Sequence, residues 1–412
     1  MGFLPCPCTF LTHSSTHDHP QDSSSSNPHE IHYDHSKSLS SLPSLPSVAS
    51  LTSASQPPST TANHHYITTF KGHTSSVFSL ALTRNHLLSG SSDTQIRIWP
   101  SSSSPSTASP PLAHGESAVK SMVVDGDKLF TGHQDHKIRV WRLDEKHKTA
   151  VKLATLPTLN DRLAKLVFAR NYVEVRRHRR RTWVHHVDAV AALALSKDGS
   201  LLYSGSWDRS FKVWRTSDSK CLESVWNAHD DAVNAVVVSH DGDVYTGSAD
   251  RKIKVWRRHG GEKKHRVAET LEKHKSAVNA LALSADGSVL YSGACDRSII
   301  VWEKVDGGDG GRRMVVAGAL RGHSKAILCL AVVDDVVFSG SADHTIRAWR
   351  RGINGKSYWC LGVLEGHKGP IKCLAAALEG CISDGVGGTS YVVYGGSLNG
   401  EIKMWKLWVP FL

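Results

Sequence analysis

The sequence predicts an all-β fold in which seven copies of one antiparallel unit stack into a closed ring, behind a disordered N-terminal tail. Three observations carry this. A marker set recurs six times complete and once degraded: a histidine, then a serine or threonine, an aspartate four residues after the hydroxyl, and a tryptophan six residues after the aspartate. Apolar residues alternate ahead of every one of these tryptophans, and Asp-Gly pairs punctuate the stretches between. A unit of this kind has an apolar face that it cannot bury alone, and stacking the units around a ring buries it while leaving only short edges.

At 412 residues, length alone suggests two or three domains, but the repeat overrides that prior. Apolar residues make up 40% and charged residues 21%, enough for a core and ordinary for a water-exposed surface. The formal charge of +11 raises an anionic partner without bearing on fold. Apolar runs are short, seven residues in Ala189–Leu195. A membrane-spanning helix needs about 20, so no transmembrane segment is expected. Eight scattered cysteines without a CxxC pair fit a reducing compartment.

The tail, residues 1–63, differs in composition from everything after it. Half of the 26 positions from Ser36 to Thr61 are Ser or Thr. Such a stretch buries too little surface to offset the entropy of ordering it. Eight of the 25 histidines fall at or before His65, in no spacing that matches a zinc site.

The body, residues 64–412, holds the repeats. Six copies are complete: His73, Ser89, Asp93, Trp99; His114, Thr131, Asp135, Trp141; His186, Ser204, Asp208, Trp214; His229, Thr246, Asp250, Trp256; His274, Ser292, Asp296, Trp302; and His323, Ser339, Asp343, Trp349. A seventh is degraded, with His367, Gly395, Asn399 and Trp405. Pairs such as Ile96/Ile98, Phe211/Val213 and Ile299/Val301 alternate with period two, which marks strands with one buried face. Asp-Gly at 125–126, 198–199, 241–242 and 286–287 supplies tight hairpins. In the seventh copy the histidine and asparagine lie 32 residues apart, and the Gly/Ser-rich stretch near Gly380 to Ser390 predicts a mobile loop. With its hydroxyl and carboxylate replaced, this copy is expected to lack the polar network and to be the least rigid.

These units resemble WD40 repeats, and seven of them imply a seven-bladed WD40 β-propeller. The resemblance implies that His65 to Phe70 forms the outermost strand of the last blade and Glu401 to Leu407 its third strand, which interlocks the two ends. It also implies that each tryptophan donates to the hydroxyl, the hydroxyl bonds the histidine, and the histidine bonds the aspartate. Ser, His and Asp are the parts of a hydrolytic triad. An active site, however, occurs once per chain, and this set is written repeatedly. No phosphate loop, nucleophile elbow or metal-ligand cluster appears elsewhere, so the expectation is a non-enzymatic protein without cofactor or metal. The residue after each Trp is never Asp, and the WDxR motif of ubiquitin-ligase substrate adaptors is absent, which lowers that alternative.

One interval stands apart. Trp141 to Trp214 spans 73 residues, against 42 in the adjoining repeats, which places about 30 inserted residues after the third strand of blade two. This basic insert, about 142–183, carries a net charge of +8, densest at Arg176, Arg177, Arg179, Arg180 and Arg181. An amphipathic helix is expected from Leu159 to Arg170, capped by Asn160 or Asp161. The arginines are candidates for an anion: an acidic protein segment, an import receptor, lipid or nucleic acid. Nucleic-acid association is the alternative function. Beside the arginines Tyr172 and Trp183 offer stacking, thin for a single-strand platform. A solvated strand edge is the plain reading.

Segments Thr155-Leu-Pro-Thr-Leu, Asn171-Tyr-Val-Glu-Val-Arg-Arg-His and Thr182-Trp-Val-His-His, with the Ser/Pro-rich tail, resemble plant WD40 proteins of the JINGUBANG type. That resemblance implies a regulatory scaffold linked to pollen germination, binding other proteins such as transcription regulators or signalling proteins. Cytoplasm and nucleus are the expected compartments, and a monomeric propeller within complexes the expected state. Propellers of this family bind partners on the face bearing the His and Asp turns. Residues just before each aspartate lie there, and Trp207 stands out as an aromatic anchor. Arg209, Arg251 and Arg297 follow their aspartates and would add positive charge to the same face. Packing of Trp207 on the adjoining blade is the plain alternative. Ser104-Pro105 and Ser109-Pro110 are candidate phosphorylation sites that could dock against the arginine run.

Overall fold

A computed structural model describes residues 48–52 and 62–411, apart from 101–110, 145, 167–171, 177–178, 259–261, 263, 308–310, 353–354, 356 and 383–386. The alternating segments form seven four-stranded antiparallel sheets. The first strands, Val77–Leu82, Val119–Asp125, Val190–Leu195, Val233–Val238, Val278–Leu283, Ile327–Val333 and Ile371–Ile382, each touch the next, and the last touches the first. The ring is closed.

Closure is a strand exchange. Asn63–Phe70 pairs antiparallel with Ile402–Pro410, so the N-terminal end of the ring completes the blade begun by the C-terminal residues. The Asp-Gly hairpins form as expected, with φ of +56° at Gly126, +67° at Gly199, +84° at Gly242 and +72° at Gly287, a region open to glycine at no steric cost. Between blades, a glycine follows each network hydroxyl, or Gly395 in blade seven, and admits the branched side chain that opens the next blade. A Cβ on Gly293 would lie 2.5 Å from Ile327 Cγ2, and one on Gly396 would lie 3.0 Å from Val77 Cγ1. The second of these contacts seals blade seven on blade one.

Four expectations need correction. The ring-associated chain begins before residue 64: Val48–Thr52 lies on the propeller, with Ser50 and Thr52 in isolated bridges to Ala319 and Tyr358. The hydrogen bonds it makes to two open strand edges explain why a segment of tail composition is held. Next, Thr149–Leu156 is the fourth strand of blade two, so the insert starts at Pro157 rather than after the third strand. The helix runs only Leu159–Leu166, and its cap is Thr158, whose hydroxyl accepts from Asp161 N at 3.2 Å. Leu159 and Leu163 of its apolar stripe are 72% and 62% exposed, while Asp161 is buried and accepts from Cys221 N at 3.1 Å. Finally, the added residues near 380–390 mostly lengthen two strands, pairing Gly380 with Ser390 and Ile382 with Gly388.

Cys221, Cys329, Cys360 and Cys373 form no disulfide, whereas Cys295 is disulfide-bonded, an exception to the all-thiol reading. The serines at 104 and 109 lie outside the described residues.

Candidate functional site

In five blades the repeated polar residues form one network. In blade one, Trp99 Nε1 donates to Ser89 Oγ at 2.8 Å, Ser89 Oγ lies 2.7 Å from His73 Nε2, and His73 Nδ1 lies 2.8 Å from Asp93 Oδ2. Blade three repeats this with Trp214, Ser204, His186 and Asp208 at 2.9, 2.8 and 3.0 Å. Blade four uses Trp256, Thr246, His229 and Asp250 at 2.8, 2.7 and 2.8 Å. Trp302, Ser292, His274 and Asp296 in blade five, and Trp349, Ser339, His323 and Asp343 in blade six, match within 2.8–2.9 Å.

One protonation pattern satisfies every member. The tryptophan N–H occupies the hydroxyl oxygen, the hydroxyl donates to Nε2, and a neutral imidazole donates from Nδ1 to an ionised aspartate. Burial pushes the His73 and His186 imidazoles below their usual value against the opposing pull of Asp93 and Asp208. Burial alone would raise the Asp250 carboxyl, but hydrogen bonds from His229 and backbone amides bring it down to about 2. Those amides give the aspartate its structural role. Asp93 Oδ2 accepts from Thr74 N at 3.0 Å and Oδ1 from Gln95 N at 2.9 Å, joining the loop between blades to the turn within the blade. The hydroxyls of Ser89, Ser204, Thr246, Ser292 and Ser339 are fully buried. A nucleophile that no substrate can reach is no nucleophile, and the sets hold the frame.

Blade two departs from its expected set. His114 is exposed at the end of a fourth strand and takes no part. His133 replaces it: Nε2 lies 2.8 Å from Thr131 Oγ1, which also accepts from Trp141 Nε1 at 2.9 Å, and Nδ1 lies 3.0 Å from Ser117 O. Asp135, released from histidine, binds buried Arg139 at 2.7 and 3.1 Å, and Glu116 adds a third bond to that guanidinium at 3.0 Å. Burial, followed by the Arg139 charge, pushes His133 down to about 4. The sequence held a signal for this. In the other six blades the histidine stands four residues before the first-strand Val or Ile, and in blade two that position is Gly115. A Cβ there would come within 3.3 Å of His133 Cε1, so the displaced ring fills the space that glycine leaves.

Blade seven lacks the network, as its residues foretold. Neither ring nitrogen of buried His367 has a hydrogen-bond partner, and burial with the Lys403 charge pushes it down to about 4. Asn399 turns instead to Glu401.

The face carrying these turns presents the remaining candidates. The residue after each aspartate is left-handed: Thr94, His136, Arg209, Arg251, Arg297 and His344 have φ between 66° and 73°, and Gly400 has 87°. This αL position was not anticipated. It aims Arg209, Arg251 and Arg297 outward from three successive blades, and all three are exposed. Trp207 is half-buried, and its backbone N–H donates to Ala189 O at 3.1 Å. Lys120 Nζ of blade two lies 5.4 Å from the Trp207 ring centroid and 3.8 Å from that of Phe78 in blade one. Trp207 thus packs toward the adjoining blade and still offers an open ring surface, in a cluster drawn from three blades. Acidic groups share the face: Lys252 lies 3.4 Å from both Asp230 and Glu272.

The insert lies apart from these residues in sequence and sheet. Tyr172–Arg176 and Arg179–Thr182 form a two-stranded hairpin that pairs Val173 with Arg181, Glu174 with Arg180 and Arg176 with Arg179. Arg177 lies outside the described residues. Trp183 packs partly buried on the core between blades two and three, and its carbonyl accepts from buried Lys212 Nζ at 2.7 Å, which places it in packing rather than on a stacking platform.

Among the described residues no group of three His, Cys, Asp or Glu is placed to hold a metal ion, and no helix is long and apolar enough to cross a membrane.

A closed ring of seven repeated sheets, pinned by buried polar networks and open at a turn face, defines a repeat propeller. The family model "WD40: WD domain, G-beta repeat" matches residues 65–100, 110–142, 177–215, 219–257, 266–303, 315–350 and 358–406, and the chain belongs to this family. It is 32% identical over 179 residues to "Protein ROOT INITIATION DEFECTIVE 3" of Arabidopsis thaliana, covering 40% of each chain. It is 27% identical over 240 residues to "Kinesin-like protein KIF21B" of Mus musculus, covering 52% of this chain and 13% of that protein. The chain therefore spans less than half of these relatives. The WD40 β-propeller domain of Doa1 superposes with a TM-score of 0.61 over 83% of this chain and 96% of that one at 21% identity, a likeness of fold. WD40 propellers generally mediate protein–protein interactions and are typically non-enzymatic.

Proposed function

We propose that this chain is a regulatory scaffold that recruits protein partners through its turn face, around Trp207 and the arc of Arg209, Arg251 and Arg297. The observation that carries this reading is the three-blade cluster of Trp207, Lys120 and Phe78 beside those exposed arginines. An aromatic held by its neighbours yet open on one side loses little entropy on contact, which is the character of an interface anchor. Guanidinium groups beside it select partners with acidic segments and speed their encounter. A non-glycine αL residue costs about 1 kcal/mol, and three of the six such positions on the turn face carry an exposed arginine.

Within this scaffold role, the segments that resemble JINGUBANG-type proteins support a place in plant signalling or growth control such as pollen germination, in cytoplasm and nucleus, with transcription regulators or signalling proteins as partners. Similarity to an Arabidopsis protein over part of the chain accords with that. The test is affinity capture from the native cell extract with the full chain, Trp207→Ala, and the triple Arg209→Glu/Arg251→Glu/Arg297→Glu variant, each with and without nuclease. Partners that survive nuclease and are lost by at least tenfold from the face variants are expected. Retention that collapses with nuclease and ignores the face variants would move function to the arginine hairpin.

A further inference from the structure

A five-residue piece of the N-terminal region sits in a slot that the ring itself provides. The fourth strands of blades five and six, Arg312–Leu320 and Tyr358–Leu364, are outer strands with open hydrogen-bonding edges. Val48–Thr52 bridges both. Leu51 N donates to Ala319 O at 2.9 Å, Ala319 N to Ala49 O at 2.9 Å, and Tyr358 N to Leu51 O at 3.0 Å. Arg321 closes both ends: its Nη2 donates to Val48 O at 2.7 Å and its backbone N to Thr52 Oγ1 at 3.0 Å.

Side-chain selection is confined to three positions. Val48 packs on the core shared by blades four and five, and Leu51 on that shared by blades five and six. Gly318 shapes the second pocket. A Cβ there would fall within 3.0 Å of three Leu51 carbons, and Leu51 atoms are the nearest that it would meet. Leucine fills the space that the missing Cβ leaves. Thr52 supplies the third feature, a hydroxyl that accepts the Arg321 amide.

Main-chain bonds of this kind accept any extended segment, and only the two aliphatic positions three apart and the hydroxyl read sequence. Ten residues, 53–62, separate Thr52 from the first strand of the ring. A tether of that length presents the segment at an effective concentration on the order of millimolar, so weak contacts suffice to keep it in place. A segment on another protein with the same chemistry meets the same bonds and must only displace the tethered one.

We propose that the slot between the fourth strands of blades five and six is a docking site for an extended partner segment of the pattern aliphatic-x-x-Leu-Thr/Ser, and that Val48–Thr52 occupies it in cis as a built-in competitor. The site is lateral and independent of the turn face. Its chemistry is that of strand addition, with leucine as the anchor.

The test uses the full chain and a fluorescent peptide covering residues 46–54. Leu51→Asp drives the tethered segment out, because a carboxylate cannot enter the Gly318 pocket. The peptide is expected to bind this opened chain at least tenfold more tightly than the unmodified chain, with the difference read by anisotropy. A peptide carrying the same Leu-to-Asp change should not bind. Adding Gly318→Ala to the opened chain should abolish binding while leaving the unfolding midpoint of the ring unchanged, since the three nearest atoms that Cβ would meet all belong to Leu51. Failure of the peptide to bind the opened chain, equal binding to the opened and unmodified chains, or equal binding to the opened chain with and without Gly318→Ala, would overturn the proposal.

Discussion

Replacing His133 should destabilise the ring, and replacing His114 should not. His133 is fully buried and makes two hydrogen bonds, to Thr131 Oγ1 at 2.8 Å and Ser117 O at 3.0 Å. His133→Ala removes both and leaves a void the size of an imidazole. Each net hydrogen bond is worth about 0.5–1.5 kcal/mol, and the unfilled volume adds a comparable penalty, for a total of roughly 2–4 kcal/mol. His114 is exposed, so His114→Ala should stay within about 0.5 kcal/mol. Urea unfolding followed by the buried tryptophans gives the midpoint shifts. A ring of repeats need not melt in one step, so hydrogen exchange at Trp141 should report the same order. Equal losses for the two alanines would refute the displaced-histidine account of blade two.

Other consequences follow from the same networks. Ser204→Ala removes the acceptor of the Trp214 indole and the donor to His186, and should cost about 1–3 kcal/mol in a denaturation midpoint, with no effect on partner capture. His367→Leu should have the opposite character to His229→Leu. The first removes two unpartnered ring nitrogens and should be neutral or stabilising by about 1 kcal/mol, while the second breaks a complete network. Acid should weaken the ring in two stages. His133 and His367, each pushed down to about 4, refuse a proton that the unfolded chain accepts near 6.5. Stability therefore falls by up to about 1.4 kcal/mol per pH unit for each as pH drops from about 6.5 to 4. Asp250, held down to about 2, favours folding above the ordinary carboxylate range and loses that contribution as pH falls through its folded value. A melting series from about pH 7 to about pH 2 checks both stages, and a flat profile between 6.5 and 4 would contradict the first.

The fold was legible because one interval, Asp to Trp, repeats at six residues and because strand alternation precedes each Trp. Spacing failed where two residues could satisfy it. His114 lies 17 residues before Thr131, inside the range of 16 to 18 set by His73–Ser89 and His186–Ser204, so only counting back from Val119 reveals Gly115 in its place. The Gly380 to Ser390 stretch was read as a loop because glycine and serine mark turns when isolated; Gly380–Ile382 and Gly388–Ser390 instead pair in two lengthened strands, and 383–386 lie outside the described residues. The slot for Val48–Thr52 was invisible. The segment is held by backbone bonds to residues roughly 270 to 310 positions away, and composition carries no trace of them. At the turn face, Trp207 and the three arginines were legible by position after the repeat was aligned. Lys120 and Phe78 were not, because their meeting requires three blades.

The most direct measurement places a photo-crosslinking residue at position 207 in one chain and at position 172 of the arginine hairpin in another, with both expressed in the native cell. The account predicts discrete protein adducts from position 207 that are lost when Arg209, Arg251 and Arg297 are replaced by Glu. Adducts that form only from position 172, or that consist of nucleic acid, would contradict it.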